Sequence, residues 1–408
     1  MSGSWPRGNC GRSTTRGCRL STSIRRRIWM PRACGMRVER IPLRLHNHMA
    51  RTVIILHPGA LGDVVLAVPA MRRLLARFPQ HRSLLIANEP IGRFLLECRM
   101  VDAWIPVQGA ACTDLFAGSV PASTDLGCWL NECDCTVAWI NDEGGTLAAA
   151  LRCCGVREMI IQSPFSHELQ AMHQGDRFLE TIGDTVGNGS LDGQMPIPSH
   201  LMERGQVHLE RMGIPFDRPI VLIHPGSGSL RKCVNPEVLA LAIEQFQGED
   251  MCPLILEGPA DRKSVTGLSN LVPAVPVIAG EDLSIVACLL ARSVLYIGND
   301  SGMTHLAALL AVPAIALFGP TDPERWAPRG PHVTVLRGAF CVCSSWGSVA
   351  ACSGKPCFAI SAEAIVAAGK EIARSIDTTH RNPSQYALSR PDSCATVPRS
   401  FSLSMVTT

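Results

Sequence analysis

The chain has 408 residues, of which 46% are hydrophobic and 18% are charged, and its formal net charge is +3. This hydrophobic content excludes a largely disordered chain, and the length is sufficient for two domains that each bury a core. The charge is uneven, because +10 for residues 1–50 and +1 for residues 377–408 leave −8 for residues 51–376. An acidic body argues against a nucleic-acid partner, and no uncharged apolar run reaches the roughly 18 residues of a membrane span.

Residues 1–50 are rich in Arg, show no helical or strand periodicity, and are predicted to be non-globular. A twin-arginine export signal would need an apolar segment after Arg25-Arg26-Arg27, and residues 28–32 do not supply one. An organelle presequence has a similar Arg-rich, acid-poor composition. We favour a third interpretation, upstream sequence outside the native protein, because Met49 directly precedes the first predicted strand.

The next predicted elements alternate between strand and helix. The apolar run 53–56 predicts a strand, and apolar residues at helical spacing predict a helix over 63–78. Further strands are predicted at 84–87, 103–107 and 135–140, with helices at 91–97 and 146–152. This alternation predicts βαβ units and a mostly parallel sheet.

A segment rich in Gly, Asn and Pro, residues 185–200, has the composition of a connection between domains. A second series follows, with strands at 220–223, 253–257, 275–278, 294–297 and 313–318, and helices at 236–247, 261–270, 283–292, 303–311 and 361–376. The two series open alike, with VIILHPG at 53–59 and IVLIHPG at 220–226. This repeat predicts twin Rossmann-like domains.

Ligands bind beyond the carboxyl ends of parallel strands, so the loops after the strands are the candidate sites. In the first loop, Asp63 follows Gly62 at the start of a helix. Two interpretations of Asp63 remain open. It caps its helix, where a carboxylate is favoured, or it is a general base at the mouth of a cleft.

The second loop, GSGSLRK at 226–232, combines backbone amides and hydroxyls with Arg231 and Lys232. Amides in such a loop, with a lysine charge beside them, suit a pyrophosphate, although the GxxxxGK[ST] pattern of a P-loop is missing. The alternative is a flexible turn with solvated cations.

The third loop, NDSGMTH at 299–305, places Asp300, Ser301 and Gly302 at a strand-to-helix junction. Amides and hydroxyls at a helix N-terminus again favour an anion. His305, one turn into the helix, either faces the same site or is a structural residue. The turn at 318–323 is either part of the site or a plain Pro/Gly turn.

Fourteen of the 18 cysteines lie in residues 51–376 without a regular spacing, which predicts reduced, cytosolic thiols. The densest cluster is Cys341-x-Cys343-x8-Cys352-x4-Cys357. It contains no CxxC pair and no histidine, so loop cysteines are favoured over a zinc knuckle.

Three of these segments together resemble glycosyltransferase family 9, the ADP-heptose:lipopolysaccharide heptosyltransferases. They are GALGDVVLAVPAMRRLLARFP (59–79), HPGSGSLRK (224–232) and the long segment 298–330 that begins GNDSGMTHLAALLAVPAIALFGP. The resemblance covers residues 51–376. It implies an α/β protein of the GT-B fold, two Rossmann-like domains with parallel sheets facing across a cleft.

The resemblance also implies the domain organisation. Residues 51–200 would form the N-terminal acceptor domain and residues 201–360 the C-terminal nucleotide-sugar donor domain. The helix 361–376 would cross back to the N-terminal domain, and residues 377–408 would be a disordered tail.

The activity implied by the resemblance is an inverting, metal-independent transfer of a heptose or similar sugar, without a cofactor. Asp63 would deprotonate the acceptor, with Gly62 on the acceptor side. Lys232, with Ser227, Gly228 and the loop amides, would stabilise the leaving diphosphate. Asp300 would bind sugar hydroxyls, while Ser301, Gly302 and His305 would contact phosphates.

The partners implied are ADP-heptose as donor and a lipopolysaccharide-core or related glycolipid acceptor. Such an enzyme would be cytoplasmic, with at most peripheral contact at the inner membrane. No nucleic acid is expected.

Some positions depart from the family pattern. The family usually has K-x-W-P after the loop lysine, whereas this chain has Lys232-Cys233-Val234-Asn235-Pro236. A non-catalytic nucleotide-sugar-binding relative is therefore the first alternative. A nicotinamide oxidoreductase is disfavoured, because both glycine loops lack GxGxxG. The sequence does not decide whether Glu257 or Asp261 faces the nucleotide.

Overall fold

The structure is a computed structural model of the chain, which describes residues 51–165, 172–184, 194–214, 218–343 and 345–379, with side chains up to residue 375. The predictions for residues 1–50, for most of the connection 185–200 and for the tail from residue 380 fall outside the described residues. Within the part of the chain that is described, no helix is long and apolar enough to cross a membrane.

The described residues of the first half form one sheet of five parallel strands, accompanied by six helices. The strands are β1 (Thr52–His57), β2 (Arg82–Ala87), β3 (Ala103–Pro106), β4 (Cys133–Ala138) and β5 (Glu158–Ile161), bonded in the order β3-β2-β1-β4-β5. The helices are α1 (Leu61–Ala76), α2 (Glu89–Glu97), α3 (Ala110–Phe116), α4 (Asp125–Asn131), α5 (Thr146–Cys153) and α6 (Gln174–Thr181).

The central strand β1 is buried along its whole length. Because side chains alternate across a strand, Val53 and Ile55 pack into one core, whereas Ile54 and Leu56 pack into another. Helices cover both faces of a parallel sheet of this kind, so a central strand needs an uninterrupted apolar run.

The second half forms a sheet of six parallel strands. They are β6 (Ile220–His224), β7 (Cys252–Glu257), β8 (Val277–Ala279), β9 (Ser293–Asn299), β10 (Ala314–Phe318) and β11 (Val333–Arg337), bonded in the order β11-β10-β9-β6-β7-β8. The helices are α7 (Ser199–Arg211), α8 (Pro236–Gly248), α9 (Arg262–Leu271), α10 (Leu283–Arg292), α11 (Gly302–Leu309), α12 (Pro323–Trp326), α13 (Trp346–Ala351) and α14 (Ala362–Thr379).

The two halves pack on each other through helices. Helix α1 lies against α11, and α2 lies against α10. One hydrophobic core therefore contains residues of both sheets, among them Ile55 of β1 and Leu222 of β6. This packing brings the loop after β1 close to the loop after β9.

The predicted alternation of strands and helices is confirmed, and every predicted element has a counterpart. The elements that the sequence did not predict are α3, α4, α6, α7, α12, α13, β5 and β11. The strands β5 and β11 lie at sheet edges and are only partly buried, so they lack the apolar run that marks a central strand.

The packing of the terminal helix α14 differs from the expectation, which was that this helix crosses back to the first half. Its residues Ile365, Val366 and Ile372 belong to the core of the second half, and α14 packs on α8, β10 and β11. Lys370 of α14 also pairs with Glu249, which follows α8. The apolar face of α14 is thus buried against the second sheet.

Candidate active site

Two glycines form a close contact between the main chains of the two halves. A Cβ atom on Gly62 would lie 3.2 Å from the Cα of Gly302 and 3.2 Å from the Cδ2 of His305. A Cβ atom on Gly302 would lie 2.9 Å from the backbone nitrogen of Gly62. Only residues without a side chain allow two main chains to approach so closely. Gly62, predicted on the acceptor side, is therefore in contact with Gly302, predicted on the donor side.

Asp63 is half-buried in the first turn of α1, where its carboxylate accepts a hydrogen bond from the amide of Ala60 at 3.2 Å. Burial raises the pKa of Asp63, while this bond and the charge of Lys232 lower it and the charge of Asp300 raises it further. The carboxylate therefore caps its helix and also lies within electrostatic reach of two residues from the other half.

Asp300 is the centre of a polar cluster in the second half. Its Oδ2 lies 2.8 Å from the Nζ of Lys232 and accepts a hydrogen bond from the hydroxyl of Thr321 at 2.7 Å. The hydroxyl of Ser227 donates to the backbone carbonyl of Asp300 at 2.6 Å. The loops after β6, β9 and β10 are joined in this way around one buried carboxylate. Thr321 lies in the turn at 318–323, so that turn contributes to the site.

The remaining residues of the β6 loop have different surroundings. Gly228 is exposed, and a Cβ atom there would meet nothing within 4 Å. The guanidinium of Arg231 donates to the carbonyl of Trp346 at 2.9 Å. Of the two cations predicted near phosphate, Lys232 is the one that pairs with Asp300 and influences the pKa of Asp63.

The segment that departs from the family pattern lines a cavity of about 430 Å³. Cys233, Val234, Asn235 and Pro236 form part of its wall, and two lysines, Lys263 and Lys355, contribute to the lining. The amide of Val234 donates to the side chain of Asn299 at 2.9 Å, which ties this segment to the end of β9, next to Asp300.

His305 is buried beside the two glycines. Burial lowers the pKa of His305 to about 4, and its Nδ1 has no hydrogen-bond partner among the described residues. A neutral imidazole with an unpartnered nitrogen therefore lies at the junction of the halves. Both predicted interpretations of His305, structural and ligand-facing, are compatible with this position.

The sequence did not reveal the contacts of His224 at the end of β6. Its Nε2 lies 2.8 Å from the Oδ2 of Asp261, and its Nδ1 lies 3.3 Å from the hydroxyl of Ser301. His224 ends β6, whereas Asp261 and Ser301 lie in two different loops, so no local spacing could indicate the three residues. Of the two acidic residues that the sequence left open, Glu257 and Asp261, it is Asp261 that bonds His224.

The sequence favours loop cysteines over a zinc knuckle for the cluster at 341–357. Among the described residues, no group of three or more His, Cys, Asp or Glu side chains is placed to hold a metal ion. The cysteines at 341, 343, 352 and 357 are free thiols, and those at 341, 343 and 352 are partly exposed.

Two Rossmann-like halves with parallel sheets define the GT-B class of fold. E. coli ADP-heptose lps heptosyltransferase II is similar over 80% of this chain and 99% of that one, with a TM-score of 0.63 at 17% identity. E. coli heptosyltransferase WaaC with ADP is similar over 79% of this chain and 99% of that one, with a TM-score of 0.55 at 17% identity. The predicted GT-B fold is confirmed by these likenesses and by the two sheets.

Residues 190–344 match the family model described as Glycosyltransferase family 9 (heptosyltransferase). The resemblance to glycosyltransferase family 9 is thereby confirmed over residues 190–344, which contain the second and third motifs. Lipopolysaccharide heptosyltransferase 3 of Escherichia coli is 26% identical over 140 residues, which are 33% of this chain and 40% of that relative. The match thus spans about two fifths of the length of the curated relative.

Proposed function

We propose that the chain transfers a heptose, or a similar sugar, from ADP-heptose to a lipopolysaccharide-core or related glycolipid acceptor, with inversion and without a metal. The observation that carries this proposal is that Asp63 of the first half lies within electrostatic reach of the Lys232–Asp300 ion pair of the second half, beside the contact between Gly62 and Gly302. A carboxylate from one half is thus combined with a cation and a second carboxylate from the other half. This is the arrangement that a base-assisted displacement of a diphosphate needs.

In the proposed reaction, the carboxylate of Asp63 takes the proton from an acceptor hydroxyl. The oxygen forms a bond to the anomeric carbon of the donor while the bond from that carbon to the diphosphate oxygen breaks. The electron pair of the broken bond leaves with ADP, whose negative charge Lys232 stabilises. Burial raises the pKa of Asp63, which makes its carboxylate a stronger base than an exposed aspartate.

The donor is proposed to lie against the second half. The amides at the start of α11, from Gly302 onward, and those near Gly228 are suited to the diphosphate. Asp300 is suited to sugar hydroxyls, and His305 to a phosphate oxygen. Ser227 is assigned to holding the loop, because its hydroxyl already donates to the carbonyl of Asp300.

The names of the similar proteins support the choice of substrates. The WaaC structure contains ADP, and the curated relative is named for lipopolysaccharide. We further propose residues 51–200 as the acceptor domain and residues 201–360 as the donor domain. Action in the cytoplasm, at most peripheral to the inner membrane, belongs to the same proposal.

A donor screen tests the proposal directly. The protein is incubated with a lipopolysaccharide-core acceptor and with ADP-, UDP- or GDP-linked sugars, and release of the nucleoside diphosphate is measured. Acceptor-dependent release of ADP from ADP-heptose is the expected result. Calorimetric binding of ADP-heptose without release would instead favour the non-catalytic alternative. The position of Lys232, 2.8 Å from Asp300 despite the altered segment after it, favours the enzyme.

A further inference from the structure

Two helix caps in the second half are turned away from their own helices. Asp261 is the N-cap of α9 and Ser301 is the N-cap of α11, yet neither side chain bonds an amide of its helix. Asp and Ser are preferred N-caps because they accept such bonds, and losing one costs about 1 kcal/mol. Both side chains bond His224 instead, one at each ring nitrogen.

The carboxylate of Asp261 is closely packed against two glycines, Gly226 and Gly258. A Cβ atom on Gly226 would lie 2.0 Å from its Oδ1, and a Cβ atom on Gly258 would lie 2.5 Å from its Oδ2. The amide of Gly258 also donates to Oδ2 at 3.1 Å. The side chains of His224 and Asp261 are 2% and 8% exposed, so water does not compete for their bond.

The neighbouring hydroxyls fix the directions of the hydrogen bonds. Thr304 donates to the carbonyl of Asn299, so Thr304 accepts from the buried hydroxyl of Tyr296. A carboxylate only accepts, which places a hydrogen on the Nε2 of His224. The hydroxyl of Ser301 lies 3.3 Å from the Nδ1 of His224 and 3.1 Å from the hydroxyl of Thr304, and we assign its hydrogen to Nδ1, which has no other hydrogen-bond partner among the described residues.

We propose that Asp261 and His224 act as positioning residues that hold the hydroxyl of Ser301 away from the first turn of α11. The consequence is that the amide of Met303, the second residue of α11, is left without the side-chain cap that an N-cap serine usually supplies. An uncapped helix N-terminus attracts an anion. The inference rests on the proposed function, since the anion in question is the diphosphate of the donor.

We call the hydrogen bonds that run from Asp261 through His224 to Ser301 the relay. The variants His224→Gln and Asp261→Asn test it. In His224→Gln, the amide keeps a donor for Asp261 but has no group in place of Nδ1, so Ser301 is free to cap α11. We expect ADP, titrated by calorimetry, to bind about 5- to 10-fold more weakly, since a capping bond of about 1 kcal/mol must be displaced. Thermal unfolding confirms that the variants are folded.

The same substitution in a Ser301→Ala background distinguishes positioning from a general structural effect. Without the hydroxyl there is nothing for His224 to hold, so His224→Gln should cause no further loss of ADP affinity in that background. An equal loss in both backgrounds would overturn the proposal, and so would unchanged affinity in His224→Gln alone.

Nitrogen-15 NMR of the histidine rings provides a readout that needs no ligand. The signal of His224, assigned by its loss in His224→Gln, should show the hydrogen on Nε2, and Asp261→Asn should change it. A hydrogen on Nδ1 in the unaltered protein would overturn the relay. If the unaltered protein binds no ADP, the proposed function is wrong. The position of the hydrogen on the ring of His224 then still shows whether the relay exists.

Discussion

The two halves of the molecule open with nearly the same sequence, but the histidines that end β1 and β6 have opposite surroundings. His57 packs against the rings of Trp139 and Phe178, with centroids 5.6 and 5.4 Å away, and its Nε2 has no hydrogen-bond partner among the described residues. His224 has polar partners at both ring nitrogens, Asp261 and Ser301.

The chemistry of the two loops differs in the same way. Burial lowers the pKa of His57 to about 4, so it is a neutral packing residue whose Nδ1 accepts from the amide of Gly59. The loop after His57 supplies the carboxylate of Asp63, and the loop after His224 supplies the amine of Lys232. The repeated sequence therefore indicates a backbone turn that both halves share. The residues around each turn determine the function of that loop.

The largest effect is expected from the first loop. Asp63→Ala removes the proposed base and should lower kcat/KM by about 10²-fold or more. Asp114→Ala, an exposed position on α3, is the control and should leave turnover unchanged. ADP release in the presence of acceptor measures both, and an Asp63→Ala protein with full activity would show that another residue is the base.

The second loop is tested by replacing each of its cations. Lys232→Met removes the charge beside Asp300 and should reduce kcat by about 10²-fold, because a charged donor to the leaving group is lost. Arg231→Met should have little effect, since Arg231 bonds the carbonyl of Trp346. Steady-state kinetics with donor varied would contradict this assignment if the two variants lost activity equally.

Replacing each histidine by phenylalanine separates their contributions to stability. His224→Phe leaves the buried carboxylate of Asp261 without its ring partner and should destabilise the protein by about 3 kcal/mol. His57→Phe keeps an aromatic ring in an aromatic pocket and loses one hydrogen bond, so a cost of about 1 kcal/mol is expected. Urea unfolding followed by circular dichroism measures the difference, and equal costs would remove the distinction between the two histidines.

The smallest expected effect is a shift in the pH profile, caused by the charge of Lys232 acting on Asp63. Because burial raises the pKa of Asp63, the acid limb of the kcat/KM profile should lie above the ordinary range of an aspartate. Lys232 lowers that pKa, so in Lys232→Met the carboxylate takes up its proton at higher pH and the limb should move upward. A pH–rate profile of the residual activity tests this shift, and movement in the opposite direction would exclude a coupling between the two loops.

The order of the strands and helices was predictable because the central strands are continuous apolar runs, as β1 illustrates. The edge strand β11 was not, since all five of its residues are only partly buried and carry no such pattern. The packing of α14 was also missed, because the helix is amphipathic in either location and its sequence does not say which sheet it covers.

In the candidate site, the motifs indicated Asp63, Lys232, Asp300 and His305, which the structure brings to one junction, and their roles stay predictions. The connections between loops were not predictable. His224 and Asp261 are 37 positions apart, and His224 and Ser301 are 77 apart. Contacts over such separations are formed by the order of the strands in the sheet, which the sequence does not state.

The contact between Gly62 and Gly302 limits how the site can evolve. A methyl group on Gly302 would meet the backbone of Gly62 and the side chain of Leu61, which lies 2.9 Å from it. Shortening Leu61 to Ala would keep the Cβ atom that lies 2.9 Å away, and no change of side chain removes the clash with the main chain of Gly62. Genetic suppressors of Gly302→Ala are therefore expected in residues that shift α1 as a whole, such as those packed beneath it, rather than in the residues that would touch the sugar.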